Sequence, residues 1–335
     1  MATIYEVAKT AGVSLATVSR VINGNSNVRE NTKEKVEQAM LQLGYQPSSI
    51  AQSLASNRSN RVGIVVAELD GPFYSNMLAT VERVLRHAGK HAIITAGHSD
   101  ENKEKEAIRF LQGCNCDALI LCVDALDDSY LLELAQKSAP VAVINHRVDE
   151  LAENCFTVDN ELGGYRATKA VLDQGHQQVA YISGPAFKED AKLRLQGHCR
   201  AMQEAGLSVD TRLIVEGNYH EDGGAAGFNT LQNTGLPFSA LVCGNDDMAS
   251  GAMQAARKAG VKLPSELSVV GFDDLLFARY TYPTLTSVKN PIAEMGEMAA
   301  NWVLQKTYKI EPEHIITNLF EPALVARDSV CMCRT

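Results

Sequence analysis

Residues 3–23 read TIYEVAKTAGVSLATVSRVIN, and this stretch decides what the N-terminal end of the chain is. Thr3 followed by Glu6 is a capping-box pair, whose hydroxyl and carboxylate satisfy free N–H groups at a helix start. Ile4, Val7 and Ala8 then fall on one face at helical spacing. Gly12 ends that helix in a tight turn, Val13 plugs the turn, and Ser14 caps a second helix running to about Asn23. Two short amphipathic helices joined by a Gly-bearing turn make a helix-turn-helix, whose second helix enters the DNA major groove. An ordinary helical hairpin has the same periodicity, so the pattern alone does not separate the two. Glu30 to Leu43 reads as a third helix, with Val36, Ala39, Met40 and Leu43 on one face and Gly44 as its stop. Together these close a small bundle over residues 1–45.

Gln46-Pro47-Ser48-Ser49 and Asn57-Arg58-Ser59-Asn60 have linker chemistry. Between them IAQSLAS (50–56) spans barely two helical turns, too short to be a stable helix alone. It is either a tether or a helix that needs a partner. The charge divides at the same place. The whole chain is −9, but residues 1–60 carry six Lys/Arg against four Asp/Glu, leaving −11 on residues 61–335. A mildly basic head on an acidic body fits a protein that meets phosphates only through its head.

From Val62 the texture becomes an alternation of β and α signals. VGIVVA (62–67), HAIITAG (91–97), ALILCV (118–123) and PVAVIN (140–145) are short apolar runs separated by amphipathic helices near 75–88, 102–111 and 129–136. The rhythm restarts after Asp159. A helix near 163–174 leads to VAYISG (179–184), RLIVEG (212–217), ALVCGN (240–245) and LSVVGFDD (267–274), with helices near 191–205, 223–232 and 248–259 between them. Two such runs imply two parallel, doubly wound subdomains with a cleft between them.

At 335 residues, 45% apolar and 21% charged, the chain is long enough for two or three cored domains. It has no apolar run of transmembrane length and its polar MATIYEVAK start lacks signal-peptide architecture, so no membrane partner and a cytoplasmic location are expected. The eight cysteines are expected to be free and mostly buried. Cys114-Asn-Cys116 and Cys331-Met-Cys333 have one-residue spacers and no nearby His, which is not zinc chemistry, and no metal or cofactor is expected. No GxGxxG follows the first strand, and GxxxxGK[ST] and GxSxG are absent. His176 and Asp190 show no evident nucleophile partner. An enzyme is therefore not expected.

AGVSLATVSRVIN (11–23) is similar to the signature of the LacI/GalR family of bacterial repressors, and the resemblance extends over essentially the whole chain. Tyr45, Pro47, Ala51, Leu54 and Ala55 keep the family's YxPxxxAxxLA linker pattern. VARDSV (325–330) resembles its last strand. NDDMASGAM (245–253), GFDD (271–274), ARYTYPTLTSV (278–288) and RLQG (194–197) are most like galactose and β-glucoside repressors. The resemblance implies an all-α helix-turn-helix head (1–45), a linker with a hinge helix (46–60), and a periplasmic-binding-protein-like α/β core (61–335). The core's N-subdomain would hold about 61–160 and 291–320, and its C-subdomain about 161–290 and 321–335. A small polar residue usually caps the third helix where Arg29 stands, so its first turn is expected to fray.

By the same resemblance the protein is a sequence-specific transcriptional regulator, a repressor of sugar utilisation, controlled by a small sugar between the core subdomains. Only CMCRT follows the last strand, without a leucine-heptad tail, so a homodimer on operator DNA is expected. Leu15, Ala16, Thr17, Ser19 and Arg20 lie where the reading helix meets bases. Leu15 and Ala16 discriminate only through apolar contact, such as with a thymine methyl, while Arg20 donates to a guanine or anchors a phosphate. Thr3, Tyr5, Ser14, Ser19 and Asn23 are positioning contacts, and Leu54 is the wedge that kinks the duplex in the minor groove. In the cleft the matched positions are Asp70, Phe73, Asn145, His146 and Arg147 from the N-subdomain, and Arg194, Tyr219, Asn245, Asp246 and Asp273 from the C-subdomain. His146 stands where relatives often carry Arg. A polar cleft with one or two aromatics suits a hexose or glycoside. A transport-type sugar-binding protein shares the core, and family regulators that answer to a corepressor or a partner protein stay open.

Overall fold

A computed structural model describes residues 2–22, 28–46, 58–137 and 139–333. It divides into two units, residues 1–60 and 61–335. In the first unit α1 (Ile4–Ala11) begins at a complete capping box. Thr3 N donates to Glu6 Oε2 at 2.7 Å, and Glu6 N donates to Thr3 Oγ1 at 3.4 Å. Gly12, at φ 64°, ends the helix in a left-handed turn that a Cβ would strain. Ser14 Oγ accepts from Thr17 N at 3.2 Å and so caps α2 (Leu15–Ile22). α3 (Glu30–Leu43) has Arg29 at its N-cap with no side-chain capping bond, and left-handed Gly44 at its end. Val7, Ala8, Val18, Val36 and Ala39 are buried where the three helices meet, with Val13 packed against them. Asn23 and the 50–56 segment with Leu54 lie outside the described residues.

The second unit holds two six-stranded sheets. The first is built from β1 (Arg61–Val66), β2 (His91–Ala96), β3 (Ala118–Cys122), β4 (Val141–Ile144), β5 (Cys155–Val158) and β11 (Leu319–Phe320), in the order β11-β5-β4-β3-β1-β2. Its helices are α4 (Pro72–His87), α5 (Glu101–Gly113), α6 (Asp128–Lys137) and α11 (Ile292–Tyr308). The second contains β6 (Val179–Ser183), β7 (Ile214–Glu216), β8 (Ala240–Cys243), β9 (Ser268–Asp273), β10 (Thr286–Lys289) and β12 (Ala323–Val325), in the order β12-β10-β9-β8-β6-β7. Around it lie α7 (Asn160–Leu172), α8 (Glu189–Glu204), α9 (Glu221–Asn233) and α10 (Asp246–Lys258). The chain passes between sheets after β5, after β10 and between β11 and β12. Both faces of each sheet are covered by apolar clusters, so the central strands are buried from end to end.

Several sequence expectations need correction. CFTV (155–158) is a strand that the alternation did not reveal, and β10 with α11 also lay beyond it. The second sheet is parallel as expected except at its edge, where β12 runs antiparallel to β10. Of VARDSV only Val325 is in a strand. Beyond it Ser329 donates to Val269 O and Arg327 pairs with Asp274. Helix α4 starts at Pro72, three residues before the expected Ser75, because Gly71 (φ 81°) turns the chain and Pro presets the first helical φ. Of the eight free cysteines only Cys122, Cys155 and Cys243 are buried; the others are half-buried. His176 does have a hydroxyl partner, Ser239 Oγ at 2.8 Å. Its other ring nitrogen is occupied by Cys331 O at 3.0 Å, so the imidazole ties down the C-terminal segment.

Two helical glycines matter to the cleft. A Cβ on Gly164 of α7 would lie 2.0 Å from Arg194 O, and one on Gly197 of α8 would lie 2.0 Å from Glu161 O. The two helices therefore approach through bare backbone, which brings α8 and its Arg194 down onto Asn160. One turn beyond Arg194, His198 is buried and its Nδ1 is 2.9 Å from Thr168 Oγ1. That hydroxyl donates to Gly164 O at 3.0 Å, so Nδ1 is the protonated ring nitrogen. Burial pushes the His198 pKa down to about 4, against about 6.5 in the unfolded chain. The unfolded state thus binds more protons between those values. Stability from this group is complete above about pH 6.5 and is lost as the pH falls through 4, roughly 3 kcal/mol in all. Denaturant melts of His198→Gln should show a shallower fall in unfolding free energy than wild type from pH 6.5 to 4. Equal slopes would show that this imidazole is not what destabilises the fold in acid.

Candidate nucleic-acid interface and effector cleft

In the head, α2 buries Val18 and presents Leu15, Ala16 and Arg20 to solvent, with Ser19 and Thr17 half-buried beside them. Tyr5 is 69% exposed. Thr3, Ser14 and Thr17 use their hydroxyls locally. Thr3 Oγ1 donates to Glu6 Oε2 at 3.0 Å, and the Ser14 and Thr17 hydroxyls are 2.9 Å apart. This is a helix with an apolar inner stripe and an outer stripe of small, apolar and cationic side chains. Such a face fits a groove where base edges and thymine methyls alternate.

In the core, a cavity of about 430 Å³ lies between the C-terminal ends of the two sets of parallel strands, the place where open α/β sheets bind ligands. Asp70 and Phe73 reach it from the segment after β1 and the start of α4, and Asn145 from the end of β4. Arg194, Tyr219, Asn245 and Asp273 line it from the other side. Three further sequence candidates do not. His146 Nε2 is held by Asp128 Oδ1 at 2.7 Å, and Arg147 Nε by Asp149 Oδ1 at 2.9 Å. Asp246 is fully buried, accepting from Ser287 Oγ at 2.6 Å and Leu275 N at 2.7 Å. Its neighbour Asp247 faces the cavity instead.

The floor of the cavity is an Arg194 guanidinium 2% exposed. Nε donates to Asn160 Oδ1 at 2.9 Å and Nη1 to Gly244 O at 2.7 Å, while the plane lies 3.8 Å from the Phe272 ring. Asp190 and Asp273 approach it at 3.5 and 3.8 Å. Burial pushes the Asp273 carboxyl up to about 7, against the opposing pull of Arg194 and a hydrogen bond from Asn290 Nδ2 at 3.0 Å. Asp247 is raised to about 6, by burial first and then by Glu221. Tyr219, in left-handed backbone at φ 68°, donates its hydroxyl to Asp190 Oδ1 at 3.2 Å, and its carbonyl accepts from Asn245 Nδ2 at 2.9 Å.

No local pattern in the chain marks the bonds that cross the cleft. Lys188 Nζ donates to Asp124 Oδ2 at 2.7 Å, both groups largely buried. Ser99 Oγ donates to the same oxygen at 2.8 Å. Asn145 Nδ2 donates to Asp190 Oδ2 at 3.3 Å, and His220 Nε2 lies 3.6 Å from Glu68 Oε1. Asn145 Oδ1 is buried without a partner. Lys188 and Asp124 are 64 residues apart, so only the folded cleft brings them together. Among the described residues no cluster of His, Cys, Asp and Glu has a metal-binding arrangement, and no helix is long and apolar enough to cross a membrane.

Residues 3–48 match the family described as bacterial regulatory proteins, lacI family. Residues 59–321 match periplasmic binding proteins and sugar binding domain of LacI family. The transcriptional regulator GalR of Escherichia coli K12 is 38% identical over 330 residues, covering 98% of this chain and 96% of that protein. AscG of the same organism is 36% identical over 302 residues, covering 88% of this chain and 89% of that protein. Among solved structures, a lac repressor dimer bound to operator and the anti-inducer ONPF superposes with TM-score 0.86 at 27% identity, covering 98% of this chain and 99% of that one. A CelR–cellobiose complex superposes with TM-score 0.72 at 29% identity, covering 98% and 100%. A reading helix at the head, two strand-end walls facing one cavity and these full-length similarities agree: the chain is a DNA-binding transcriptional regulator and belongs to the LacI family.

Proposed function

We propose that this regulator is a cytoplasmic homodimer that represses sugar-utilisation genes and releases or tightens its operator when a hexose or glycoside occupies the cleft. The observation that carries the reading is the buried Arg194 guanidinium, placed between Asp190 and Asp273 at the floor of a cavity that cross-cleft bonds hold together. A sugar hydroxyl is both donor and acceptor. It satisfies the orphan Asn145 Oδ1 as a donor and meets Arg194 as an acceptor. Asp70, Phe73, Tyr219, Asn245 and Asp273 complete the effector set. His146, Arg147 and Asp246 do not belong to it. A ligand that bonds Asn145 on one wall and Arg194 on the other adds contacts across the cleft beside Asn145–Asp190, so occupancy alters the subdomain arrangement, which makes two sites and two states.

In the head, Leu15, Ala16 and Arg20 read base edges, with Thr17 beside them, and Thr3, Tyr5, Ser14, Ser19 and Asn23 hold the backbone. Leu54 is the minor-groove wedge. Leu54→Ala should leave the free protein folded and dimeric but reduce operator bending and affinity, since Ala is too short to hold a base step open. Affinity for random DNA and its salt slope should change little, because both rest on phosphate charge. A circular-permutation assay in which the bend is unchanged would make 50–56 a tether.

The effector reading is checked by thermal-shift measurements with neutral monosaccharides and disaccharides. A true effector at about 100 times its Kd stabilises the core by roughly 2.7 kcal/mol, several degrees in Tm. Absence of any shift across the neutral sugars would contradict it.

A further inference from the structure

The cavity differs from one end to the other. At its inner end Arg194, Asn245 and Asp273 are buried and all polar. At its outer end stands Phe187, 57% exposed, with Pro72 and His98 also open to solvent. Single exposed apolar residues are ordinary on a protein surface. This one sits in a loop fixed on both sides of the ring. Ala186 N donates to Glu216 Oε1 at 2.8 Å, and Lys188 N donates to Pro185 O at 3.0 Å. The Lys188 side chain is in turn tied across the cleft to Asp124. The ring is therefore carried at the mouth of a polar cavity on an anchored loop, and it offers a ligand no hydrogen bond. What it does offer is a flat apolar surface, which suits the C–H face of a pyranose or an aromatic ring. The volume of about 430 Å³ falls among cavities that hold drug-sized ligands, with space beyond one pyranose.

We propose that the effector is a two-ring sugar, whose inner pyranose is held by Arg194, Asp273 and Asn145 and whose second ring stacks on Phe187. This rests on the sugar reading above and narrows it to a disaccharide or a glycoside with a flat outer group. The charges of the cleft make that ligand uncharged. Both cations of the lining are already committed, Arg194 to Asp190 and Asp273, and Lys188 to Asp124. Asp70, Glu221 and Asp247 leave the rest of the lining acidic, so a phosphate or carboxylate on the ligand meets repulsion.

The test is calorimetry on the full chain with glucose, galactose, cellobiose, lactose and the phenyl β-glycosides of both hexoses. The expected result is that a two-ring member of one series binds roughly fivefold to tenfold more tightly than its monosaccharide. Phe187→Ala should erase that gain while leaving the monosaccharide within about twofold, and Phe187→Tyr should restore it. The disaccharide and phenyl arms separate a second sugar from an aromatic aglycone. Equal affinity for one and two rings, or a gain that survives in Phe187→Ala, overturns the second-ring site while the sugar reading stands. Failure of the wild type to bind any of these sugars, single rings included, overturns the sugar reading and the proposal with it.

Discussion

A fragment beginning at Arg61 should stay folded and dimeric but lose specific operator binding altogether. The reason is a separation of charge and of surface. Every groove-facing side chain named above precedes Asn60, and the fragment that remains carries a net charge of −11. Specific complexes are typically at least a thousandfold tighter than nonspecific ones, and an acidic body repels the phosphate backbone, so even the nonspecific term should shrink. The core's own apolar clusters are complete without the head. Val62, Ile64, Met77 and Ile120 are closed by Ile292, Met295 and Val303 of α11, and Ile182, Leu241 and Val269 by Met248 and Met253 of α10. Gel mobility shifts with operator and random DNA, alongside size-exclusion chromatography, provide the check. A fragment that still shifts operator with undiminished affinity would mean that the reading helix has been misassigned.

The second large effect belongs to the cleft floor. Arg194→Ala and Asp273→Ala should each reduce sugar affinity by about tenfold to a hundredfold or more, since each removes charge-assisted bonds worth roughly 1.5–3 kcal/mol. Operator binding should be largely kept. Arg194 also supports the fold through Asn160 and Gly244, and its loss leaves Asp190 and Asp273 without their buried cation. Breaking such a buried pair can cost about 3–5 kcal/mol. Melting curves therefore need to accompany the calorimetry. Asp273→Asn is the gentler probe, because its group is already pushed toward protonation and the variant keeps its size. If sugar affinity is unchanged in folded Arg194 and Asp273 variants, the pair is structural and the ligand sits elsewhere.

Local signals were the legible part of this protein. The Thr3–Glu6 box, the left-handed Gly12 and Gly44, and the strand–helix alternation from Val62 to Asp274 each depend on neighbours within a few residues. Most of the parts that escaped depend on distant partners. CFTV (155–158) is a four-residue strand defined by β4 on one side and β11, more than 150 residues later, on the other. Asp246 and Asp247 look alike in sequence. The Asn245 cap sets the helical phase that turns Asp246 inward to Ser287 and Leu275 and leaves Asp247 lining the cavity. His146 and Arg147 follow a strand end, as cleft residues should, yet nearby Asp128 and Asp149 capture them. Lys188 and Asp190 were silent because their partners, Asp124 and Asn145, lie on the opposite wall.

Coupling between the cleft and the reading helix is tested most directly by operator affinity measured with and without bound sugar. With the best sugar from the calorimetric series at saturation, the wild-type chain should change its operator affinity by roughly fivefold or more, a coupling of about 1 kcal/mol or greater. By reciprocity, operator should change sugar affinity by the same factor. Arg194→Ala, tested at the same sugar concentration, should show neither change. Equal operator affinity for the sugar-bound and sugar-free wild type, with sugar binding confirmed in the same sample, would contradict the account.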